Sequence, residues 1–269
     1  MNKMSLAIVS SSATAPGAVK LRDAAKELGH QASIAVIGTD DIVAVLRSAD
    51  KAIFRVGPKT HATYLDMLPR VPVEHRDLLN GVLRAFDKAE TSLVLNKQKI
   101  PSPDTYVLKQ DEAPRSYPVV VKIPRGNQGL GVELVHSVDE YSQFWATHNN
   151  QEQCIAQEYI VEANKQDKRL LIVGNQCIAA MRRRSSGDDF RANLHMGGVA
   201  EPYTPTEEEV MLAVRASKAF DLPFAGIDII DSNRGPLVLE INPSPGLAIG
   251  DVTGVDVATR IIKEVMKNG

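Results

Sequence analysis

Two carboxylates and an amide near the C-terminal end of the chain are the residues best placed to do chemistry. The segment Phe224-Ala-Gly-Ile-Asp228-Ile-Ile-Asp-Ser-Asn-Arg-Gly-Pro-Leu-Val-Leu-Glu240-Ile-Asn242 reads as two apolar strands around a polar turn. The turn centres near residue 234, midway between Asp228 and Glu240, so these two should face one another across the pair. Strand alternation then puts Asn242 on the same face as Glu240. Carboxylates converging from apolar strands repel unless a cation lies between them, and three hard oxygen donors suit Mg2+ bridging phosphates. The same residues would equally serve as edge-strand carboxylates turned to solvent.

Two other stretches handle anions. Lys122-Ile-Pro-Arg-Gly126-Asn-Gln-Gly129-Leu-Gly131 lies between two apolar runs. Its glycines can aim backbone N–H groups, and its lysine an ammonium, at phosphates. No Gly-Lys-Ser/Thr follows and a strand comes next, which excludes a P-loop and a dinucleotide fingerprint; a flexible hairpin turn is the plainer reading. Met181-Arg182-Arg183-Arg184, followed by Arg191, Asn193 and His195, offers guanidinium forks for phosphate or carboxylate. It could also be a solvated basic face, with His195 a structural histidine. An RNA-contact reading is also possible, but the run Arg182–Arg184 is not interleaved with aromatics.

The elements that must position these groups follow from periodicity. Residues 5–9, 18–28, 32–37, 41–47 and 52–56 alternate strand and helix, which predicts a small parallel sheet flanked by helices. Helices are expected at 77–86 and 88–99, the second stopping before Pro101 and Pro103, with a domain boundary near Asp87. Beyond Tyr117 come strands at 119–123, 132–135, 154–157, 169–173 and 177–181, and a helix at 138–147. Thr206 and Glu209 form a capping box for a helix over 206–220. Strands at 224–230 and 237–241 and a helix at 255–266 complete the chain. The fold class is therefore α/β (α+β).

Composition sets the outer limits. The 269 residues are 43% apolar and 24% charged, with 31 Lys and Arg against 33 Asp and Glu for a net charge of −2, which argues against a surface built wholly for nucleic acid. Cys154 and Cys177 sit among apolar residues without metal-ligand spacing and read as buried free thiols. The first apolar run, Leu6-Ala-Ile-Val9, is shorter than the roughly 7–15 residues of a secretory core, so a cytoplasmic location with no membrane contact is expected.

Five motifs in fixed order carry a resemblance: Lys122 with its glycine loop, Gln157-Glu158-Tyr159-Ile160, Arg191-Ala-Asn193-Leu-His195, Asp228, and Glu240-Ile-Asn242-Pro-Ser-Pro-Gly246-Leu. Together they resemble the ATP-grasp superfamily, and within it the RimK group of carboxylate–amine ligases, densely over 87–267 and more loosely before. The resemblance implies an ATP-grasp fold with a small N-terminal parallel α/β domain at 1–87, a lid or central subdomain at 88–155 and a C-terminal subdomain at 156–269. It implies that Lys88, Lys122 and the loop Gly126, Gly129, Gly131 contact ATP. Gln157, Glu158, Tyr159 and Ile160 would form the adenine hinge, and Asp167 would sit near the ribose. Arg191 and Asn193 would hold the transferring phosphate as the catalytic pair, and Asp228, Glu240 and Asn242 would bind two Mg2+ ions, with Mn2+ as a substitute.

The implied reaction is amide formation through an acyl-phosphate, adding glutamate to the carboxyl end of a peptide or protein. Arg55, Arg182, Arg183, His195 and Ser244 are the candidate substrate contacts. The partners implied are an amino acid and a carboxylate acceptor, with a homo-oligomer left open. A ligase for a small-molecule or carrier-protein carboxylate, and a non-catalytic ATP-binding regulator, are the competing readings. This chain departs from the group at Ala192, where serine is usual, and at Pro243 in the Asn242-Pro-Ser-Pro-Gly246 stretch. Arg55-Val-Gly-Pro only partly echoes the group's Arg-Ile-Gly.

Overall fold

The computed structural model describes residues 3–109, 112–126, 130–148, 153–185 and 198–267. Strands β1 (Ser5–Ser10), β2 (Gln31–Val36) and β3 (Lys51–Phe54) form a parallel sheet in the order β2-β1-β3, with helices α1 (Pro16–Glu27) and α2 (Ile42–Arg47) as the crossovers. Helix α3 (His61–Met67) fills the region after Gly57-Pro58 where periodicity fails, and His61 and Tyr64 are buried in it. Helices α4 (Val73–Phe86) and α5 (Lys88–Lys97) meet at Asp87. Helix α4 starts four residues ahead of the sequence expectation, because Pro72 occupies its N-cap position and cannot lie inside it.

A four-stranded antiparallel sheet follows, ordered β4 (Thr105–Lys109), β7 (Gln153–Glu158), β5 (Val119–Lys122) and β6 (Val132–Val135). Helix α6 (Val138–Thr147) covers it through Tyr141, Phe144 and Trp145. Strand β7 runs across the division drawn at 155/156, pairing with β4 as far as Gln157 and with β5 as far as Glu158. The end of that sheet thus lies after residue 158.

The third sheet is also antiparallel, ordered β10 (Val199–Pro202), β9 (Gln176–Arg184), β8 (Gln166–Val173), β11 (Phe224–Ser232) and β12 (Gly235–Asn242). Helix α7 (Glu207–Lys218) opens with the expected reciprocal Thr206–Glu209 capping box, and α8 (Ala248–Thr253) and α9 (Val257–Val265) close the described chain. One core packs α4 and α7 with β8, β11 and β12; another packs α1 and α9 against the opposite side of β8 and β9. Strand β10 was not legible because it is a four-residue edge strand ending in proline. Cys154 is buried and Cys177 half-buried, both as free thiols. Among the described residues no helix is long and apolar enough to cross a membrane.

One close approach locks α4 to the α7–β11 connection. A Cβ on Gly81 would lie 2.3 Å from the Phe220 carbonyl oxygen. Gly81→Ala must therefore shift backbone, and we expect a loss of about 2 kcal/mol in urea denaturation, in spite of alanine's better helix propensity.

Candidate active site

The hairpin β11–β12 places its carboxylates by a bulge. Ser232 pairs with Gly235 and Ile229 with Val238, a register that would carry Leu239 opposite Asp228. The register shifts after Ile229, so that Asp228 pairs with Glu240 and Gly226 with Asn242. The extra residue, Leu239, turns Glu240 and Asn242 into the cleft wall beside Asp228. Asn242 Nδ2 donates to Asp228 Oδ2 at 3.3 Å.

Two neighbouring strands bring guanidinium groups to the same face. Arg169, opposite Asp228 on β8, donates to both carboxylate oxygens at 2.6 Å. Arg183 on β9 forks onto Asp167 at 2.6 and 2.7 Å and reaches Asp228 Oδ2 at 2.9 Å. Burial would raise the Asp228 pKa, but Arg169 and Arg183 outweigh it and hold the carboxyl at about 2. Asp167 is pushed above its ordinary value by burial, helped by the Asp228 charge and opposed by Arg183. The arginine run is split by strand alternation. Arg182 and Arg184 turn to the opposite face and meet Glu201 at 3.5 and 3.3 Å, with Arg182 also over the Tyr203 ring. Only Arg183 of the three lines the cleft.

The facing wall carries lysines. Lys122 is buried at the end of β5 and donates to Gln157 Oε1 at 2.6 Å, while Gln157 donates to Thr105. Burial pushes the Lys122 ammonium down to about 8; nearby Glu240 resists and Lys88 adds to the fall. Lys88 sits at the start of α5, whose N-terminus Asp87 caps through Ala89 and Glu90. Its Nζ donates to Gly126 O at 2.6 Å and lies 3.6 Å from Glu240. Asp87 also accepts from Arg125 at 2.9 Å, so the first residues of the glycine loop are tied to α5. Gly131 has φ 66°, and a Cβ there would lie 2.6 Å from the Ile123 side chain. The loop needs glycine at that point.

Glu158, Tyr159 and Ile160 line the cleft where the chain leaves β7. Glu158 N donates to Asp104 O at 2.8 Å and its carboxylate accepts from Asp104 N at 3.1 Å. Arg234, from the β11–β12 turn, forks onto the same carboxylate, with Nη1 at 2.9 Å. This clasp holds the Glu158 carboxyl below its ordinary value. Ile160 packs on Ile230 and Leu237. Across the cleft, Ser244 Oγ donates to Phe54 O at 3.1 Å and accepts from Val56 N at 3.0 Å, tying β12 to the parallel sheet. Arg55 lies beside it and donates to Pro245 O at 3.0 Å.

Lys88, Lys122, Gly126, Gln157, Glu158, Tyr159, Ile160, Asp167, Asp228, Glu240, Asn242, Arg55, Arg183 and Ser244 thus all line one cleft of about 630 Å³, a size that takes a nucleotide-sized ligand. Arg182 does not. Gly129, Arg191, Asn193 and His195 lie outside the described residues. Sequence reading missed Arg169 and Arg234. Arg169 could have been found from the alternation Asp167-Lys-Arg169 on the strand next to Asp228. Arg234 sits in a turn whose spatial neighbour is 76 residues away in sequence. Among the described residues no group of three His, Cys, Asp or Glu could hold a metal. The candidate donor set is two carboxylates and an amide, all oxygen ligands suited to a hard cation.

A sequence model of the RimK-like ATP-grasp domain matches residues 85–265. The chain belongs to the RimK-like ATP-grasp family. Among its relatives, a probable alpha-L-glutamate ligase of Klebsiella pneumoniae is 33% identical, over 96% of this chain and 94% of the relative. One of the same description from Stutzerimonas stutzeri is 40% identical over 70% of this chain and 66% of the relative, so that match spans just under two thirds of the relative's length. A RimK domain ATP-grasp protein of Sphaerobacter thermophilus superposes with a TM-score of 0.73 at 20% identity, covering 97% of this chain and 99% of that one. D-cycloserine synthetase gives 0.75 at 18% identity, with 97% and 98% covered. These likenesses extend the ATP-grasp fold over the parallel sheet that the domain match leaves out.

The paired charges make a stability test. Arg183→Met leaves Asp167 buried without its partner, and we expect a loss of about 3–5 kcal/mol in denaturant unfolding. The double variant Arg183→Met/Asp167→Leu should regain part of that loss.

Proposed function

We propose that the chain is an ATP- and Mg2+-dependent carboxylate–amine ligase that adds glutamate to the carboxyl end of a peptide or protein. What carries the reading is the opposition, across one cleft, of Lys88 and Lys122 to Asp228, Glu240 and Asn242. Phosphate oxygens lodged between these walls meet ammonium groups on one side and metal-ligand oxygens on the other. The apolar residues Val120, Ile160, Ile230 and Leu239 line the same cleft and offer a slot for a base beside the Glu158–Ile160 backbone.

In this reading Asp228, Glu240 and Asn242 hold Mg2+, which supplies neutralisation of phosphate charge as it develops. Lys88 and Lys122 orient the phosphates, and the loop from Gly126 to Gly131 covers them. A substrate carboxylate attacks the γ-phosphorus, the bond to the β-phosphate oxygen breaks, and acyl-phosphate and ADP form. The glutamate amine then attacks the acyl carbon, loses a proton and expels phosphate. The side chains position and neutralise; none acts as a nucleophile. Arg191 and Asn193 are proposed to meet the transferring phosphate.

Asp228→Ala and Glu240→Ala should each abolish ADP release with L-glutamate and carboxyl-terminal peptides, read by a coupled assay with mass spectrometry of the product. Wild-type turnover in both variants would refute the reading, and ATP binding without phosphate release across a broad amino-acid and peptide panel would make the chain a regulator.

Lys122 gives the pH dependence its sign. Its ammonium is charged below about 8, so ATP affinity is full there and weakens as pH rises through that value, by up to about tenfold per unit for one proton. Lys122→Arg stays charged and should flatten the profile in calorimetric titration.

A further inference from the structure

The strand order β2-β1-β3 places a topological switch between β1 and β3. Open α/β sheets take ligands at the carboxyl ends of such strands. Arg55 follows β3 at that edge, Pro16 and Gly17 open α1 beside it, and all three line the cleft. The guanidinium lies so near the helix that a Cβ on Gly17 would be 3.0 Å from Nη2. Nη2 donates to Pro245 O, whereas Nη1 is buried with no hydrogen-bond partner. Among the described residues no carboxylate pairs with Arg55, and burial, opposed by Tyr64, pushes its guanidinium down to about 10. Asp251, a carboxylate on the same wall, is taken by Lys20 at 3.1 Å.

Helix α1 adds to this demand for an anion. Its N-cap residue, Ala15, makes no side-chain cap and its first turn holds no acidic residue. Pro16 has no N–H, so it is the N–H groups after it, from Gly17 on, that meet an uncompensated guanidinium at one place. Pro245 is three residues past Asn242, a span of at most about 11 Å, so an amino acid seated here keeps its amine near the phosphate-holding wall.

We propose that Arg55 and the N-terminus of α1 seat a carboxylate of the amino-acid substrate that takes no part in the new bond. The proposal rests on the ligase reading and names the group that this wall of the cleft recognises. A guanidinium fork matches a carboxylate and not a carboxamide, so the seat selects acid over amide.

The test compares L-glutamate, its 1-amide (isoglutamine) and its 5-amide (glutamine) as amine donors for the wild-type protein. At least one amide should raise KM roughly 10- to 100-fold, the loss of a charge-assisted contact, with the KM for ATP unchanged. Arg55→Gln should raise the KM for glutamate by a similar factor and erase the preference for acid over that amide. Equal use of all three donors by the wild type overturns the proposal, as does a nucleotide-binding Arg55→Gln protein that keeps the preference. The wild-type comparison decides if Arg55→Gln does not fold. Should no donor yield ADP, the ligase reading fails, and calorimetric binding of the same three compounds to the ATP-loaded protein decides the seat alone. Glutamate bound tenfold more tightly than one amide supports it; equal binding, or none, overturns it.

Discussion

The cleft depends on one arrangement of buried charge: the Asp228 carboxylate gripped by Arg169 and Arg183, with Asp167 on the far side of Arg183. Two carboxylates and two guanidiniums alternate across β9, β8 and β11, so the group is neutral as a set. Each charge alone would cost several kcal/mol to bury, and only complete pairing offsets that cost. The consequence is local. Asp228 stays ionised at a depth where an isolated carboxyl would take up a proton, and an ionised oxygen is what a divalent cation requires.

Everything on the opposite wall is arranged with respect to that fixed negative charge. Lys88 and Lys122 come from α5 and β5, outside the five-stranded sheet, and both sense Glu240 or Asp228 across the cleft. Asp87 sets this wall twice over, capping α5 with one oxygen and holding Arg125 with the other. Helix and glycine loop are thereby joined at the junction of α4 and α5. The Arg234–Glu158 clasp does the equivalent at the other end, pinning the end of β7 to the β11–β12 turn.

How much of this was legible follows from where each signal lies. The hairpin showed itself because its two strands are consecutive, and centring the turn at 234 opposed Asp228 to Glu240. The tight turn actually centres half a residue earlier, and the bulge at Leu239 restores the pairing. The capping box at Thr206 was legible because it is local. Arg234 was not, since its partner is 76 residues away and no periodicity marks it; Arg169, 59 residues from Asp228, is marked only by its alternation with Asp167 on β8. The run Arg182–Arg184 misled for the converse reason: adjacent residues on a strand face opposite sides, and contiguity in sequence is separation in space.

The stretch Asn242-Pro-Ser-Pro-Gly246 shows why a departure from the family pattern leaves the site intact. Prolines at 243 and 245 fix φ near −65° and bias the residue before each toward extended backbone, so Asn242 and Ser244 lose little further freedom on folding. Ser244 then bonds Phe54 and Val56, and the Pro245 carbonyl receives Arg55. A metal-ligand candidate and the edge of the parallel sheet are thus joined by a stiff segment of a few residues. The extra proline at 243 removes no donor that these contacts use, and it pre-forms the link that sets the distance between Arg55 and Asn242.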